Sequence, residues 1–530
     1  MTHKNIIIVV GGGMAGLTAA NVLAKRGADV LLIEKNDKCG GLVNSFTRDG
    51  FLFDGGIRAI ENAGMIKPML EELEVDLKLS KSPISLGVED RVISVDNDDS
   101  VNDYERLLKY LYPDSTDDVE SVIKVIVRLR EHMNVLFGNE SPFFKDPDRK
   151  WTYYFTTLIS WFFKLIFTFF AINKMKLPVE EFLGKKIKSR SLDDIISQHF
   201  FKNTPAFFAM SYFALYTDYY YPAGGVGQLT AKLEEKLIEN GGTVLKNTDI
   251  TCVNPGSKEL TDQNANRYIY DKLIWAADLK QLYRILRQQG LSKKLVEKVN
   301  EEKEKIISSK GAESVFTLFM ATDIGPEKLR KISHGHFFYT PSRRGLGSLQ
   351  RSDLQKMLKS WKELSRQDIL GWIDEFCRYN TYEISVPVLS EPEAAPEGKS
   401  GIIVSLLMDY ELVKRVNDDG WYNEFNTYME ERIIDTLNES IYPGIKDEIL
   451  FKFTASPLSI EKLVRSSEGA IVGWSFEKPV PVEGGMLNMK NSVKTNIPDV
   501  YKVGQWSVSP AGLPTCILTA KLASDIIVKE

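Results

Sequence analysis

Cysteine is scarce in this sequence, and its scarcity excludes two kinds of scaffold. The chain has 530 residues and four cysteines, none of them in a C-x-x-C pair. A disulfide framework and a zinc cluster are therefore not expected, and a reducing compartment such as the cytoplasm fits best. No secretory signal is expected either, because the apolar run at residues 6–10 is short and ends in glycines.

An excess of charge of one sign is also missing. The 67 Lys and Arg residues are balanced by 72 Asp and Glu residues, which gives a net charge of −5. We therefore expect no nucleic-acid partner. The remaining composition is globular, with 43% apolar and 26% charged residues, and the length predicts two to four domains.

A dinucleotide-binding fingerprint stands near the N-terminus. Residues 11–16 (GGGMAG) fit G-x-G-x-x-G directly after the apolar run at residues 6–10, which is typical of a buried parallel strand. A helical pattern follows, and a second apolar strand over residues 28–33 ends at Glu34. Together these features give the complete strand–helix–strand context of a dinucleotide site.

Each residue of the fingerprint has a physical role. Gly11 permits a tight turn, Gly13 lets the backbone approach a pyrophosphate, and Gly16 allows the helix to pack closely on the strand. The helix N-terminus, with Met14 and Ala15, faces the phosphates.

The end of the second strand is predicted to bind a ribose. Glu34 can accept hydrogen bonds from both ribose hydroxyls, and its charge would repel a 2′-phosphate. We place the neighbouring Lys35 in the same site.

Two glycine pairs follow, and they favour FAD over NAD. Gly40-Gly41-Leu42 comes shortly after the acidic strand end, and Gly55-Gly56 ends the stretch FLFDGG. Paired glycines let the backbone lie flat against an extended FAD. Two ordinary β-turns would explain either pair as well, and this alternative stays open.

The motifs together resemble those of the FAD-dependent phytoene desaturase, carotenoid isomerase and retinol saturase family, in the flavin amine oxidase-like superfamily. The similar segments are the glycine pair at 40–41, residues 51–55 (FLFDG), 221–229 (YPAGGVGQL), 501–505 (YKVGQ) and 509–514 (SPAGLP). The resemblance departs at Gln505, where the family often has an acid, and at Ala511, where it usually has glycine. These two departures leave the subfamily open.

The resemblance implies further cofactor residues. Ile250 is implied to contact adenine through its backbone, and Gly504 to lie at the ribityl chain of the flavin. The turn that precedes the last helix, with Gly512 and Leu513, is implied to face the flavin itself.

The implied fold class is α/β, with a discontinuous Rossmann-like FAD-binding domain and an inserted α+β substrate-binding domain. Residues 1–80, 220–280 and 485–530 are assigned to the FAD-binding domain, and residues 81–219 and 281–484 to the substrate-binding domain. The acidic residues 89–105 are expected to form a solvated loop.

The implied function is that of an FAD-dependent oxidoreductase acting on a long apolar polyene or isoprenoid lipid. Desaturation, saturation and cis/trans isomerisation of the carotenoid or retinoid type all stay open, each by hydride exchange with flavin N5. The main alternative is an enzyme like flavin amine oxidase or protoporphyrinogen oxidase. An alternative of another class is a prenyl-lipid escort protein of the GDP-dissociation inhibitor type, against which the intact glycines and Glu34 argue.

No catalytic acid or base can be nominated from the sequence. Arg58, just after the second glycine pair, either lines the flavin pocket or holds a phosphate or a carboxylate of the protein. His334 and His336 share a strand face without a third ligand, so no metal site is expected. Only one nucleotide fingerprint is present, which leaves quinone, oxygen or another molecule as the electron acceptor.

One apolar segment suggests contact with a membrane. Residues 151–172 carry Lys164 as their only charge and lie between basic flanks. A helix on the membrane surface and a helix buried beside a lipid tunnel are equally good interpretations, whereas the central lysine disfavours a span. We expect a cytoplasmic protein that binds the membrane peripherally.

Overall fold

The structure is a computed structural model that describes residues 6–62, 64–137, 175–477, 479–482 and 489–530. The apolar segment at residues 151–172 lies outside the described residues, and its membrane contact stays a prediction. None of the helices that the structure describes has the length and hydropathy needed to cross a bilayer.

Strands and helices alternate along much of the chain. The strands are β1 Ile6–Val10, β2 Asp29–Ile33, β3 Ser45–Arg48, β4 Phe51–Asp54, β5 Ile60–Glu61, β6 Leu79–Lys81, β7 Ile84–Val88, β8 Arg91–Val95, β9 Tyr219–Pro222, β10 Thr243–Leu245, β11 Ile250–Asn254, β12 Glu259–Asp262, β13 Arg267–Ile269, β14 Lys272–Trp275, β15 Ser314–Thr322, β16 His336–Thr340, β17 Tyr382–Ser385, β18 Ser400–Met408, β19 Ile449–Ala455 and β20 Val500–Lys502. The helices are α1 Met14–Lys25, α2 Ile66–Leu73, α3 Ser100–Leu111, α4 Thr116–Phe137, α5 Val179–Gly184, α6 Arg190–Ser197, α7 Ala206–Tyr216, α8 Gln228–Glu239, α9 Leu279–Ile285, α10 Lys293–Ser308, α11 Pro326–Arg330, α12 Leu354–Lys359, α13 Arg366–Tyr379, α14 Tyr410–Asp418, α15 Tyr422–Glu439, α16 Pro457–Val464, α17 Met489–Ser492 and α18 Leu513–Lys529.

A five-stranded parallel sheet has the strand order β10-β2-β1-β14-β20. Both of its faces are covered, because Ile7 and Val9 enter one apolar core and Ile8 and Val10 enter another. These residues belong to β1. Burial on two faces explains why β1 is a continuous apolar run rather than an alternating one. The sheet confirms the predicted Rossmann-like fold, assembled from separate stretches of the chain.

A seven-stranded mixed sheet is built from the chain between those stretches, in the order β19-β15-β18-β17-β16-β7-β8. One face buries large side chains, among them Phe316, Phe337 and Ile384. Residues that alternate with these point to the other face, because successive strand residues alternate in direction. The inserted α+β region of the prediction is therefore present, while its boundaries at 80, 219, 280 and 484 stay a prediction.

The prediction of a solvated loop over residues 89–105 is wrong. Residues Arg91–Val95 form β8, which pairs with β7 at the edge of the mixed sheet. The following helix α3 buries the apolar side chains at Val101, Tyr104, Leu107 and Leu108. The acidic residues lie between these apolar positions. The segment is therefore an amphipathic helix, although its acidic composition alone predicts a loop.

Candidate active site

One long cleft runs from the parallel sheet to the mixed sheet. Its cavity volume is about 490 Å³. At one end it meets the carboxyl ends of β1, β2, β14 and β20, through Val10, Glu34, Trp275 and Val503. Ligands of open α/β sheets bind at this edge. At the other end the walls are aromatic.

The cleft brings together the cofactor residues predicted from sequence, with one exception. Those that line it are Gly11, Gly13, Met14, Ala15, Glu34, Lys35, Gly40, Gly41, Leu42, Gly55, Gly56, Ile250, Gly504, Gly512 and Leu513. The exception is Gly16, which lies inside α1 and faces the neighbouring backbone.

The three glycines of the fingerprint differ in what surrounds them. Gly11 has a φ of +108°, and a Cβ there would lie 3.0 Å from the backbone of Ala276. A Cβ on Gly16 would lie 1.9 Å from the Gly11 carbonyl oxygen. A Cβ on Gly13 would meet nothing within 4 Å, because Gly13 faces the open cleft. Gly11 and Gly16 thus serve the fold, whereas only Gly13 leaves room for a ligand.

The N-terminus of α1 faces the same part of the cleft. Its first helical hydrogen bond runs from Leu17 N to the Gly13 carbonyl, so the N–H groups that precede Leu17 have no partner of their own within the helix. No acidic side chain occupies its first turn. Both features suit a phosphate group at this position.

Glu34 is buried and already holds two backbone groups. Its Oε2 accepts a hydrogen bond from Gly12 N at 2.7 Å, and its Oε1 accepts one from Asn36 N at 2.9 Å. Each carboxylate oxygen can accept a second hydrogen bond, so the side chain can hold the glycine turn and still accept from a ribose. The glycine half of the cleft therefore fits an extended dinucleotide.

The segment at residues 221–229 does not line the cleft but supports its wall. The buried carboxylate of Asp54 accepts hydrogen bonds from Ser45 Oγ at 2.6 Å, Tyr221 Oη at 2.7 Å and Val226 N at 3.1 Å. Two motifs that are far apart in sequence are thus joined through one side chain. Their role is to fix the end of β4, which Gly55 and Gly56 follow directly.

Aromatic side chains enclose the other half of the cleft. They are Phe200, Phe201, Phe208, Tyr212, Tyr216, Tyr219 and Phe338. Tyr212 contacts Tyr216 with ring centroids 5.2 Å apart, and Tyr216 contacts Phe338 at 5.4 Å. Such a surface suits a long apolar ligand.

A charged cluster lies in the wall between the two halves. His336 Nε2 lies 3.0 Å from Glu383 Oε1, and Arg58 donates a hydrogen bond to Ser405 Oγ at 2.7 Å and another to the Asp54 carbonyl. Burial would raise the pKa of Glu383, but His336 and Arg58 outweigh it and the pKa is lowered. The side chain of Glu383 is 34% exposed, and its open surface faces the cleft. Arg58 lines the cleft and donates to a hydroxyl and a backbone carbonyl of the protein, so both of its predicted alternatives stay predictions.

The two histidines considered for a metal site do not converge. His334 Nε2 lies 2.8 Å from Ser94 Oγ, whereas His336 pairs with Glu383. In the part of the chain that the structure describes, no three His, Cys, Asp or Glu side chains could hold a metal ion.

Glu61 is the site residue that sequence reasoning missed most completely. Its carboxyl group faces the cleft between the glycine segment and the aromatic wall. Burial, and then the charge of Asp218, raise its pKa to about 7. Among the described residues, no Lys, Arg or His forms an ion pair with it. The only local signal was its place five residues after Gly56.

A sequence profile described as an NAD(P)-binding Rossmann-like domain matches residues 9–73. This range contains the end of β1, all of α1 and β2, and both glycine pairs. The match supports a dinucleotide-binding domain in this part of the chain, and the cleft lies at the carboxyl end of its parallel sheet.

The chain is similar over its whole length to enzymes of carotenoid and retinoid chemistry. It is 21% identical to a 4,4′-diaponeurosporene oxygenase of Staphylococcus haemolyticus, covering 99% of this chain and 97% of that enzyme. It is also 21% identical to an all-trans-retinol 13,14-reductase of Danio rerio, covering 94% of this chain and 82% of that enzyme.

The fold is shared with solved structures of oxidoreductases. A putrescine oxidase bound to putrescine superposes with a TM-score of 0.60 at 12% identity, and the match covers 99% of each chain. At this identity the likeness shows the fold alone. The profile match and the fit of the glycine half together support a dinucleotide cofactor at this site.

Proposed function

We propose that this chain is an FAD-dependent oxidoreductase that acts on a long apolar polyene or isoprenoid lipid. The observation that carries the proposal is the single continuous cleft. One half offers the glycine turn, the helix N-terminus and Glu34 to a dinucleotide, and the other half is aromatic. The proposed cofactor ligands are the cleft-lining residues named above.

The chain's own groups define how such a site would work. Bound FAD would supply hydride exchange with substrate. The segment from Gly55 to Ala59 lies in the wall where the two halves meet, so it would border both the cofactor and the substrate. The aromatic wall would exclude water and hold an apolar chain beside that segment.

An absorbance spectrum of the purified protein tests the cofactor, and mass spectrometry of co-purifying lipid tests the substrate class. We expect a yellow protein with one flavin per chain that retains or takes up a polyene. Incubation with putrescine provides the counter-test, because the amine oxidase alternative shares the fold. If putrescine reduces the flavin and no polyene does, the protein is an amine oxidase rather than an enzyme of polyene lipids.

Glu34→Ala is expected to weaken flavin binding about tenfold to a hundredfold. The carboxylate makes charge-assisted hydrogen bonds, each worth about 1.5–3 kcal/mol, and alanine would remove both the proposed ribose acceptor and the support of the Gly12 N–H. Flavin affinity, measured by quenching of flavin fluorescence, checks this. Asp37→Ala, at an exposed neighbouring position, is the control and should bind flavin like the wild type. Equal affinity in Glu34→Ala would show that Glu34 is not the ribose ligand.

We further propose that the protein reaches its substrate at an anionic membrane surface. Exposed basic side chains follow the apolar segment among the described residues, and four of them are Lys185, Lys186, Lys188 and Arg190. Each adds about 1 kcal/mol of attraction to an anionic bilayer. We expect sedimentation with phosphatidylserine vesicles at low salt, reduced by high salt and by changing these four residues to Gln. Binding that neither treatment reduces would refute the electrostatic attraction, and absence of binding would refute the membrane contact.

A further inference from the structure

Hydride exchange with a carbon–carbon double bond leaves one proton unaccounted for. Saturation adds a hydride to one carbon and a proton to the next, and desaturation removes both. The carboxyl and imidazole groups in the substrate half of the cleft are the candidates for handling that proton, and they are Glu61, His199, His336 and Glu383.

Three of these groups are poorly suited to proton exchange. Glu383 is held between His336 and Arg58, and its lowered pKa keeps it ionised. The Nε2 atom of His336 is engaged by the same carboxylate. Burial lowers the pKa of His199 to about 4, so this imidazole is neutral and a weak base.

Glu61 differs from them in position. It belongs to the short strand β5, where it pairs directly with Tyr219 of β9. Directly opposed residues of an antiparallel pair lie on the same face, so Glu61 and Tyr219 both face the cleft. Only Ile60 separates Glu61 from Ala59, the last residue of the glycine segment that lines the cleft. The carboxyl group therefore stands at the junction of the cofactor and substrate halves.

The titratable groups that interact with Glu61 are an acid and three phenols. They are Asp218, which precedes β9, Tyr219 of β9, and Tyr212 and Tyr216 of α7. His336, Glu383 and Arg58 line the same cleft. In the described part of the chain, none of them forms an ion pair with Glu61. A carboxyl group in such a place keeps its proton to unusually high pH, as a general acid near neutrality must.

We propose that Glu61 is the catalytic residue that exchanges a proton with the substrate carbon next to the one that exchanges hydride. This inference rests on the proposed function. In saturation, the double bond gains a hydride from reduced flavin and a proton from the Glu61 carboxyl, whose O–H bond breaks as the new C–H bond forms. The carboxylate then regains a proton from water. Desaturation reverses each transfer, with oxidised flavin as the hydride acceptor.

The first test measures the proton itself and needs no substrate. Infrared difference spectra of the flavin-loaded protein between pH 5 and pH 9 should show a carboxylic acid that ionises near pH 7. We expect Glu61→Gln to abolish this signal and Glu71→Gln, at an exposed position on α2, to retain it. Asp218→Asn removes a like charge and should move the midpoint to lower pH. A signal that persists in Glu61→Gln would overturn the proposal.

The second test uses all-trans-retinol and 4,4′-diapophytoene as probes, with single-turnover rates and binding measured separately. General acid–base catalysis contributes about 10²–10⁴-fold. We expect Glu61→Gln to lose at least a hundredfold in rate while its probe affinity changes less than threefold, and Glu61→Asp to recover part of the rate. A saturation rate should fall as pH rises through the pKa of Glu61, and Asp218→Asn should shift that fall to lower pH.

The outcomes separate this inference from the proposed function. A wild-type protein that turns over a probe, with Glu61→Gln equally fast and an unchanged pH profile, would overturn the role of Glu61 alone. A wild-type protein that binds no flavin would overturn the proposed function and the catalytic role with it.

Discussion

Gly13→Val is expected to yield a folded protein without flavin. The backbone at Gly13 has φ −76° and ψ −179°, an extended conformation that valine adopts readily. The new side chain would meet no protein atom near its Cβ and would instead occupy the space that a pyrophosphate needs. Overpacking against a rigid ligand costs about 1–3 kcal/mol or more, so we expect affinity to fall by about fivefold to more than a hundredfold. Flavin content after purification and flavin titration of the apoprotein check this.

The control for this substitution is Gly371→Val. Gly371 lies in α13, is exposed, and also has no atom within 4 Å of an added Cβ. The same chemical change is thus made at an equally open position outside the cleft. We expect this variant to retain flavin fully. Full flavin content in Gly13→Val would contradict the position assigned to the cofactor.

The glycine half of the cleft could be predicted from sequence because its physics is local. A strand, a tight turn and a helix N-terminus follow one another within residues 6–25, and each needs particular residues at a fixed spacing. The parallel sheet could be predicted for the same reason, because a strand that is buried on both faces must be apolar along its whole length. The structure joins these local units with little change in their predicted bounds, as for β2, which begins one residue later than predicted.

The substrate half could not be predicted because it depends on pairing between distant strands. Glu383 lies opposite Phe338 in the mixed sheet, and His336 is two residues from Phe338 on the same face. This register brings His336 diagonally against Glu383, although 46 residues lie between them in sequence. A shift of one residue would turn Glu383 into the apolar core. No local pattern fixes that register, so the sequence alone shows His334 and His336 as two imidazoles on one strand face and gives no sign of the pair with Glu383.

Glu61 illustrates a second limit of sequence reasoning. Its chemistry comes from what surrounds it, namely aromatic residues of α7 and β9 that lie about 150 residues later in the chain. In sequence it is one of 72 acidic residues, most of which are expected at the surface. Its half-buried place in the cleft, with no ion pair to a cation among the described residues, distinguishes it, and burial is a property of the assembled fold.

Gly16→Ala is expected to lower the stability of the fold, whereas Gly13→Val lowers flavin affinity, although the two glycines belong to one fingerprint. A Cβ at Gly16 would lie 1.9 Å from the Gly11 carbonyl oxygen and 3.1 Å from Ala276 Cβ. Because neither backbone can yield without moving α1 away from the sheet, we expect a loss of at least about 1–3 kcal/mol in unfolding free energy and a thermal midpoint several degrees lower. The midpoint of the apoprotein, followed by circular dichroism, checks this independently of flavin.

Apo Gly13→Ala is the control and should melt within about 1 °C of the wild type. Identical melting of apo Gly16→Ala and the wild type would show that α1 does not pack this closely. Loss of flavin without loss of stability in the Gly13 variants would show that Gly13 borders the cofactor. Loss of stability in the apoprotein of Gly16→Ala would show that Gly16 lets α1 pack on the sheet.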